Sequence, residues 1–300
     1  MSIIPNIFRP KHEHLLDVLF EKVETLSAFR SFLQKYAVLI QSYRHYELTL
    51  TQDKPKAFHT NGFCCCCQKQ QPLKVDYLYS RTVEGAEIPN WREWMVCPTC
   101  RLNNRMRAVF HFITSQCSNE SPQIYLSEQA THLYKQFKQR FPTLIGSEYL
   151  GADVPLGSVN ANNLRHEDAT QLTFKDASFD LYLSFDVFEH IPTYLRALKE
   201  AFRVLKPQGK IIFTVPFNAS REEHLVRAEV RADGSIHYLL PEEIHGDPVR
   251  SEGALCYYHF GWQILRELEE VGFKAPGAYF YLSQQYGYLG GPSMIFSAEK

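Results

Sequence analysis

The sequence predicts an α/β protein with a mostly parallel sheet over its C-terminal part, preceded by an N-terminal helical segment and a small cysteine-rich module. Three observations predict this. Between residues 11 and 47, apolar residues recur at three- and four-residue steps, the spacing of a helix with one buried stripe. Six of the eight cysteines fall between residues 63 and 100. From about Gln123, short apolar runs alternate with helical segments, the pattern of successive strand–helix units. The expected division is 1–55, 56–117 and 118–300.

The composition is that of a globular protein, with 45% hydrophobic and 22% charged residues, and 300 residues exceed one ordinary core. Net charge is −1, which argues against a chain-wide nucleic-acid or anionic-membrane surface. No apolar run approaches the ~20 residues that span a bilayer. The N-terminus has no apolar run followed by a small-residue cleavage site. A cytoplasmic location is therefore expected, with the cysteines as thiols or metal ligands rather than disulfides.

In the first segment Leu15, Leu16, Leu19, Val23, Leu26, Phe29, Leu33, Tyr36 and Ile40 form the stripe. Ser27 and Ser31 are where it would divide into two helices. The stripe is expected to pack on the rest of the chain, with a homodimer contact as the alternative. Residues 48–62 read as a linker.

Cys64 and Cys67 form one C-x2-C and Cys97 and Cys100 another, with 29 residues between the pairs. Each turn can aim two thiolates at one ion, and two turns complete a tetrahedral all-sulfur zinc-ribbon-like site. Cys65 and Cys66 leave alternative pairings open, and an iron–sulfur cluster is a minor alternative. A closed four-cysteine shell implies structural zinc that supplies folding free energy. Arg101, Arg105 and Arg107 follow the second pair. They are read as helix-capping or acid-pairing residues in preference to a nucleic-acid patch. Cys117 and Cys256 are read as isolated buried thiols.

Phe179–Phe185 reads as a largely apolar strand ending at Asp186, on the sheet edge where ligands bind. Residues 193–205 read as a helix with Thr193 as N-cap, Lys206-Pro207-Gln208-Gly209 stops it, and Lys210–Val215 is a buried strand. The stretch carries FD-x5-DV-x-EH as Phe179-Asp180, Asp186-Val187 and Glu189-His190. Glu200 and Arg203-Val204-Leu205-Lys206-Pro207-Gln208-Gly209 then stand where the pattern has E-x2-RVLKPGG. It resembles the central part of class I S-adenosylmethionine (SAM)-dependent methyltransferases of the type 11 group, over about forty residues, with weaker similarity over 123–300.

The resemblance implies a Rossmann-like doubly wound sheet and a SAM site. An acid at the second strand end should hold the ribose hydroxyls, and Glu148, after Leu144-Ile145-Gly146-Ser147, fits. Asp168 has the family-like position near adenine, and Asp186 ends the next strand. The spacings of 20 and 18 residues suit successive α/β units. The first strand is expected at Gln123–Leu126, followed by Ser127-Glu128-Gln129-Ala130-Thr131. The family usually has a glycine-rich loop there, and this one has no glycine. Ser127 and Ala130 would allow the backbone approach, helix N–H groups would meet the SAM carboxylate, and Glu128 would meet its ammonium.

His190 is the candidate general base. Residues 217–260, rich in histidine and tyrosine, form an insertion placed as the substrate lid. Within it His245, Asp247 and His259 are a metal set whose spacing is not diagnostic, each more readily a loop or turn residue. Helix 262–271 should end at Gly272, with strands in 278–298. The expected function is methyl transfer to a small-molecule or sugar-like acceptor. The alternatives are a non-catalytic scaffold of the same fold and a zinc-ribbon-guided RNA or protein methyltransferase.

Overall fold

The computed structural model describes residues 19–83, 85–117 and 121–300. Along the chain run β1 (Leu19–Val23), α1 (Leu26–Lys35), α2 (Ala37–Thr51), α3 (Asn104–Gln116), β2 (Ile124–Leu126), α4 (His132–Arg140), β3 (Ile145–Gly146), β4 (Phe179–Phe185), α5 (Tyr194–Val204), β5 (Leu205–Thr214), α6 (Gln263–Val271), β6 (Lys274–Ser283) and β7 (Tyr288–Glu299). Short hairpins and loops make up the rest of the described residues. Among the described residues no helix is long and apolar enough to cross a membrane.

These elements group into two compact units, one made of Gln41–Thr114 with Tyr281–Ser293, the other of Glu21–Ile40, Ser115–Phe280 and Met294–Lys300. Each unit is discontinuous along the chain. The expected stripe of 11–47 is also redistributed: residues 11–18 lie outside the described residues, Leu19 and Val23 belong to β1, and two helices follow. The break falls at Tyr36, not at the serines. Thr25 caps α1 through the Ala28 amide at 3.0 Å. Glu21 accepts from Lys35 Nζ (2.7 Å) and the Tyr36 hydroxyl (3.1 Å), so tertiary anchoring to β1 ends the helix where propensity alone would not.

The central sheet has the order β1-β6-β7-β5-β4-β2-β3. Pairs β2–β3, β2–β4 and β4–β5 are parallel, with Leu126 opposite Gly146 and Leu183, and Leu183 opposite Ile212. β7 runs antiparallel to β5, with Phe296 opposite Phe213. Tyr182, Leu183, Ile211 and Phe213 are all buried, as strands covered on both faces require. Each such side chain is worth roughly 1.5–3 kcal/mol. Because β2, β3 and β4 are parallel, Ser127, Glu148 and Asp186 emerge at the same sheet edge, as their places in the sequence suggested.

The family-pattern residues act as ties. Arg203 binds Glu200 and donates to the Leu172 and Phe174 carbonyls at 2.9 and 2.8 Å. Glu200 accepts from the Leu172 amide at 2.7 Å. Asp180 receives Lys206 Nζ and the Gln123 amide. Thr193 stands at the N-cap position of α5 without a side-chain capping bond, so that expectation fails. Gly272 ends α6 at φ 117° as expected, its amide reaching the Glu269 carbonyl. β5 starts five residues before the predicted strand, at Leu205, taking in the Gln208 turn at φ 67°.

Candidate cofactor site and metal centres

The first turn after β2 is built from the second strand end. Glu148 Oε1 accepts from the amides of Gln129 and Ala130, both at 2.6 Å. Burial pushes the Glu148 carboxyl up, against the pull of these two amides. Thr131 caps α4 through the Tyr134 amide at 3.1 Å. Ser127 Oγ donates to Ser184 Oγ at 2.9 Å, joining the ends of β2 and β4. The glycine missing from this turn has a counterpart at Gly146. A Cβ there would lie 2.5 Å from the Tyr134 ring and 2.8 Å from the Glu128 carbonyl. Close approach is therefore achieved by removing the side chain from β3 rather than from the turn. Glu128 is buried beside it.

Asp186 takes φ 54°, a left-handed conformation that Asp tolerates better than most residues and that is typical of functional strand ends. Its Oδ1 accepts from Thr214 Oγ1 at 2.7 Å. Asp168 does not end a strand. Among the described residues no strand forms between Gly146 and Phe179; a single parallel bridge pairs Glu148 with His166. Asp168 follows that bridge and folds its carboxylate onto Thr170 N and Oγ1, both at 2.7 Å, as an Asx turn. The regular spacing that seemed to place three acids at strand ends thus holds for two of them.

His190 lies in a 3-10 turn, Phe188–His190, beyond β4. Its Nδ1 donates to the Leu255 carbonyl at 2.8 Å, the tautomer that leaves a lone pair on Nε2. Glu189 beside it is 0% exposed, and neither carboxylate oxygen has a hydrogen-bond partner among the described residues. Burial pushes this carboxyl up. His190 Nε2 and His245 Nδ1 each lie 3.7 Å from Glu189 Oε1.

The insertion 217–260 consists of antiparallel pairs Leu225–Val226 with Tyr258–His259, Ala228–Val230 with Ile236–Tyr238, and Ile244–His245 with Ala254–Leu255. Asp247 is a turn residue, accepting from the Val249 and Arg250 amides, and takes no part in the histidine set. Glu243 and Cys256 join His245 and His259 instead. Cys256 is buried as expected but is not isolated, because Glu243, Cys256 and His259 bring ligand atoms within 4.8 Å of one another. Burial raises the Cys256 thiol, yet hydrogen bonds to His245 and His259 leave it lowered. The Cys256 and Glu189 contacts push His245 up to about 11. Sequence reading missed Glu243 and Cys256; the available signals were Glu-x-His at 243–245 and Cys-x2-His at 256–259.

In the other unit Cys64, Cys67, Cys97 and Cys100 converge. Cys64 closes the hairpin strand Ala57–Cys64, paired with Lys69–Asp76, and the second pair sits in a turn where the Arg101 amide meets the Cys97 carbonyl. Sγ atoms of Cys64 and Cys100 are 3.6 Å apart, and those of Cys67 and Cys97 3.7 Å. A tetrahedron with zinc–sulfur bonds of about 2.3 Å has edges of about 3.7–3.8 Å, so the residues fit the ion. Cys65 turns away to the Arg107 carbonyl (3.2 Å) and the Tyr288 hydroxyl (3.3 Å). Arg105 lies beside Glu93, and Arg107, fully buried, donates to the Tyr286 and Gly287 carbonyls. Both are internal ties rather than a basic surface.

The sheet order, with antiparallel β7 between β5 and β6 and acids beyond β3 and β4, is the Rossmann-like fold of class I methyltransferases. Over residues 127–213 the chain matches the family described as "Methyltransferase domain". It is 34% identical over 141 residues to "Putative methyltransferase ECU09_1500" of Encephalitozoon cuniculi, covering 44% of this chain and 63% of that protein. It is 30% identical over 117 residues to the phthiotriol/phenolphthiotriol dimycocerosates methyltransferase 1 of Mycobacterium ulcerans (36% and 42%). Over 44 residues it is 50% identical to the ubiquinone/menaquinone biosynthesis C-methyltransferase UbiE of Rickettsia felis (15% and 18%). The chain thus spans less than two thirds of these relatives. A SAM-dependent methyltransferase structure from Mesorhizobium loti aligns over 64% of this chain and 98% of its own, at 14% identity and TM-score 0.41.

Proposed function

We propose that the chain is a SAM-dependent methyltransferase acting on a small-molecule or sugar-like acceptor, with structural zinc held by Cys64, Cys67, Cys97 and Cys100. The observation that carries the reading is the methyltransferase match over 127–213 falling on a first turn that is clasped by the Glu148 carboxylate. The relatives named for quinone biosynthesis and for dimycocerosates support a small-molecule acceptor. Bound SAM supplies an electrophilic methyl group. In this reading Glu148 holds the ribose hydroxyls, Ser127 and Glu128 the amino-acid end, and Asp168 and Asp186 border the adenosyl group. Orientation of the acceptor provides most of the acceleration, up to roughly 7–11 kcal/mol. His190 takes a proton at Nε2 where the acceptor must lose one.

Titration calorimetry with SAM and with its demethylated product tests the proposal. Micromolar to submillimolar binding of either is expected. No binding of either at millimolar concentration overturns it in favour of the scaffold reading, and salt-dependent retention on RNA would instead favour the RNA-directed one.

A further inference from the structure

Two thiolate- and imidazole-bearing loops of the insertion meet at one point. Cys256 and Glu243 face each other one residue beyond the paired strands Ile244–His245 and Ala254–Leu255, with the Cys256 amide on the Glu243 carbonyl at 2.9 Å. Nε2 of His245 and Nε2 of His259 both lie 2.9 Å from the same atom, Glu243 Oε1. The Cys256 sulfur joins them, one ligand atom each of Glu243, Cys256 and His259 lying within 4.8 Å of the others. We infer that Glu243, His245, Cys256 and His259 form a second zinc-class metal site, one that clips the insertion together.

The donor chemistry selects the ion. One thiolate, two imidazoles and one carboxylate suit zinc, whereas calcium or magnesium would call for oxygen ligands. The thiolate and carboxylate balance its double charge. The surroundings supply a second, independent indication. Glu189 is 0% exposed, with neither carboxylate oxygen hydrogen-bonded among the described residues, and it sits 3.7 Å from Nδ1 of His245, the ring nitrogen facing away from Glu243. A carboxylate behind the distal nitrogen of a ligating histidine is the usual outer support of a zinc ligand. It also explains a buried carboxylate that is otherwise costly. Four protein ligands close the shell, so the ion joins the 244–245/254–255 hairpin to strand Tyr258–His259. The site is independent of the Cys64–Cys100 centre and of the methyltransferase reading.

Full-length protein is produced with zinc supplementation, desalted, and assayed for metal content and by zinc X-ray absorption. Nitrogen and oxygen ligands beside sulfur in the zinc shell are expected, with about two ions per chain. The Cys256→Ser/His259→Gln variant should lose about one ion and leave an all-sulfur shell. A purely sulfur shell in the unmodified protein, or unchanged metal content and shell in the variant, overturns the assignment. If the variant is insoluble, the shell of the unmodified protein alone decides.

Discussion

The Glu148 carboxylate accepts a hydrogen bond from the Ala130 amide at 2.6 Å, and the same oxygen takes the Gln129 amide. One residue at the end of β3 therefore shapes the turn after β2. Removing it leaves two half-buried donors unpaired, a cost of about 1–3 kcal/mol each at most. Glu148→Ala is expected to unfold at lower denaturant concentration and to bind SAM at least tenfold more weakly by calorimetry. Glu148→Gln retains an acceptor and should recover most of the stability but not the affinity. Unchanged affinity in folded Glu148→Ala would show that the ribose contact lies elsewhere.

Gly146 carries the steric part of the same arrangement. Its added Cβ would meet both the Tyr134 ring and the Glu128 carbonyl, and backbone cannot yield as a flexible side-chain tip can. Gly146→Ala should cost about 1–3 kcal/mol by overpacking and weaken SAM binding through displacement of the first turn. A control at Gly234, where an added Cβ meets nothing within 4 Å although φ is +82°, should leave SAM binding unchanged. Equal affinity for Gly146→Ala and the parent protein would remove the proposed coupling between strand ends.

These relationships mark how far sequence could reach. The strand ends carrying Ser127, Glu148 and Asp186 were legible because parallel strands have local, contiguous apolar patterns. The convergence of Cys64, Cys67, Cys97 and Cys100 was legible because each pair lies within one turn. What Cys65 does was not, because its partners Arg107 and Tyr288 are 42 and 223 residues away. Cys256 was misread as isolated for the same reason: its neighbours come from separate strands of the insertion. Asp168 was over-read, since an 18-residue spacing is equally compatible with an Asx turn. The stop of α1 at Tyr36 depends on Glu21, a tertiary contact that no helix-propensity argument contains.

The cysteine geometry separates ligands from bystanders. Cys64→Ser should release about one zinc per chain, measured by metal analysis, and lower the thermal transition, because the ion contributes folding free energy. Cys65→Ser should keep the metal content, as that sulfur faces the Arg107 carbonyl instead. Loss of one zinc from Cys65→Ser with retention in Cys64→Ser would reverse the assignment.

His111 makes stability depend on pH. Burial, then the charge of Arg107, pushes it down to about 4, while an unfolded histidine titrates near 6.5. The folded form therefore binds fewer protons than the unfolded form between these values, and stability falls as pH falls. The contribution is complete above about pH 6.5, and roughly 2 kcal/mol is lost by pH 5, with the loss continuing toward pH 4. Carboxylates titrate in part of the same range, so the comparison is with His111→Gln, which removes only this group. Denaturant unfolding at pH 7 and pH 5 should show the parent protein losing about 2 kcal/mol more than the variant. Equal losses in the two would mean that His111 is protonated alike in the folded and unfolded chains, and that the aromatic packing around it by Tyr286 and Tyr288 does not exclude the charge.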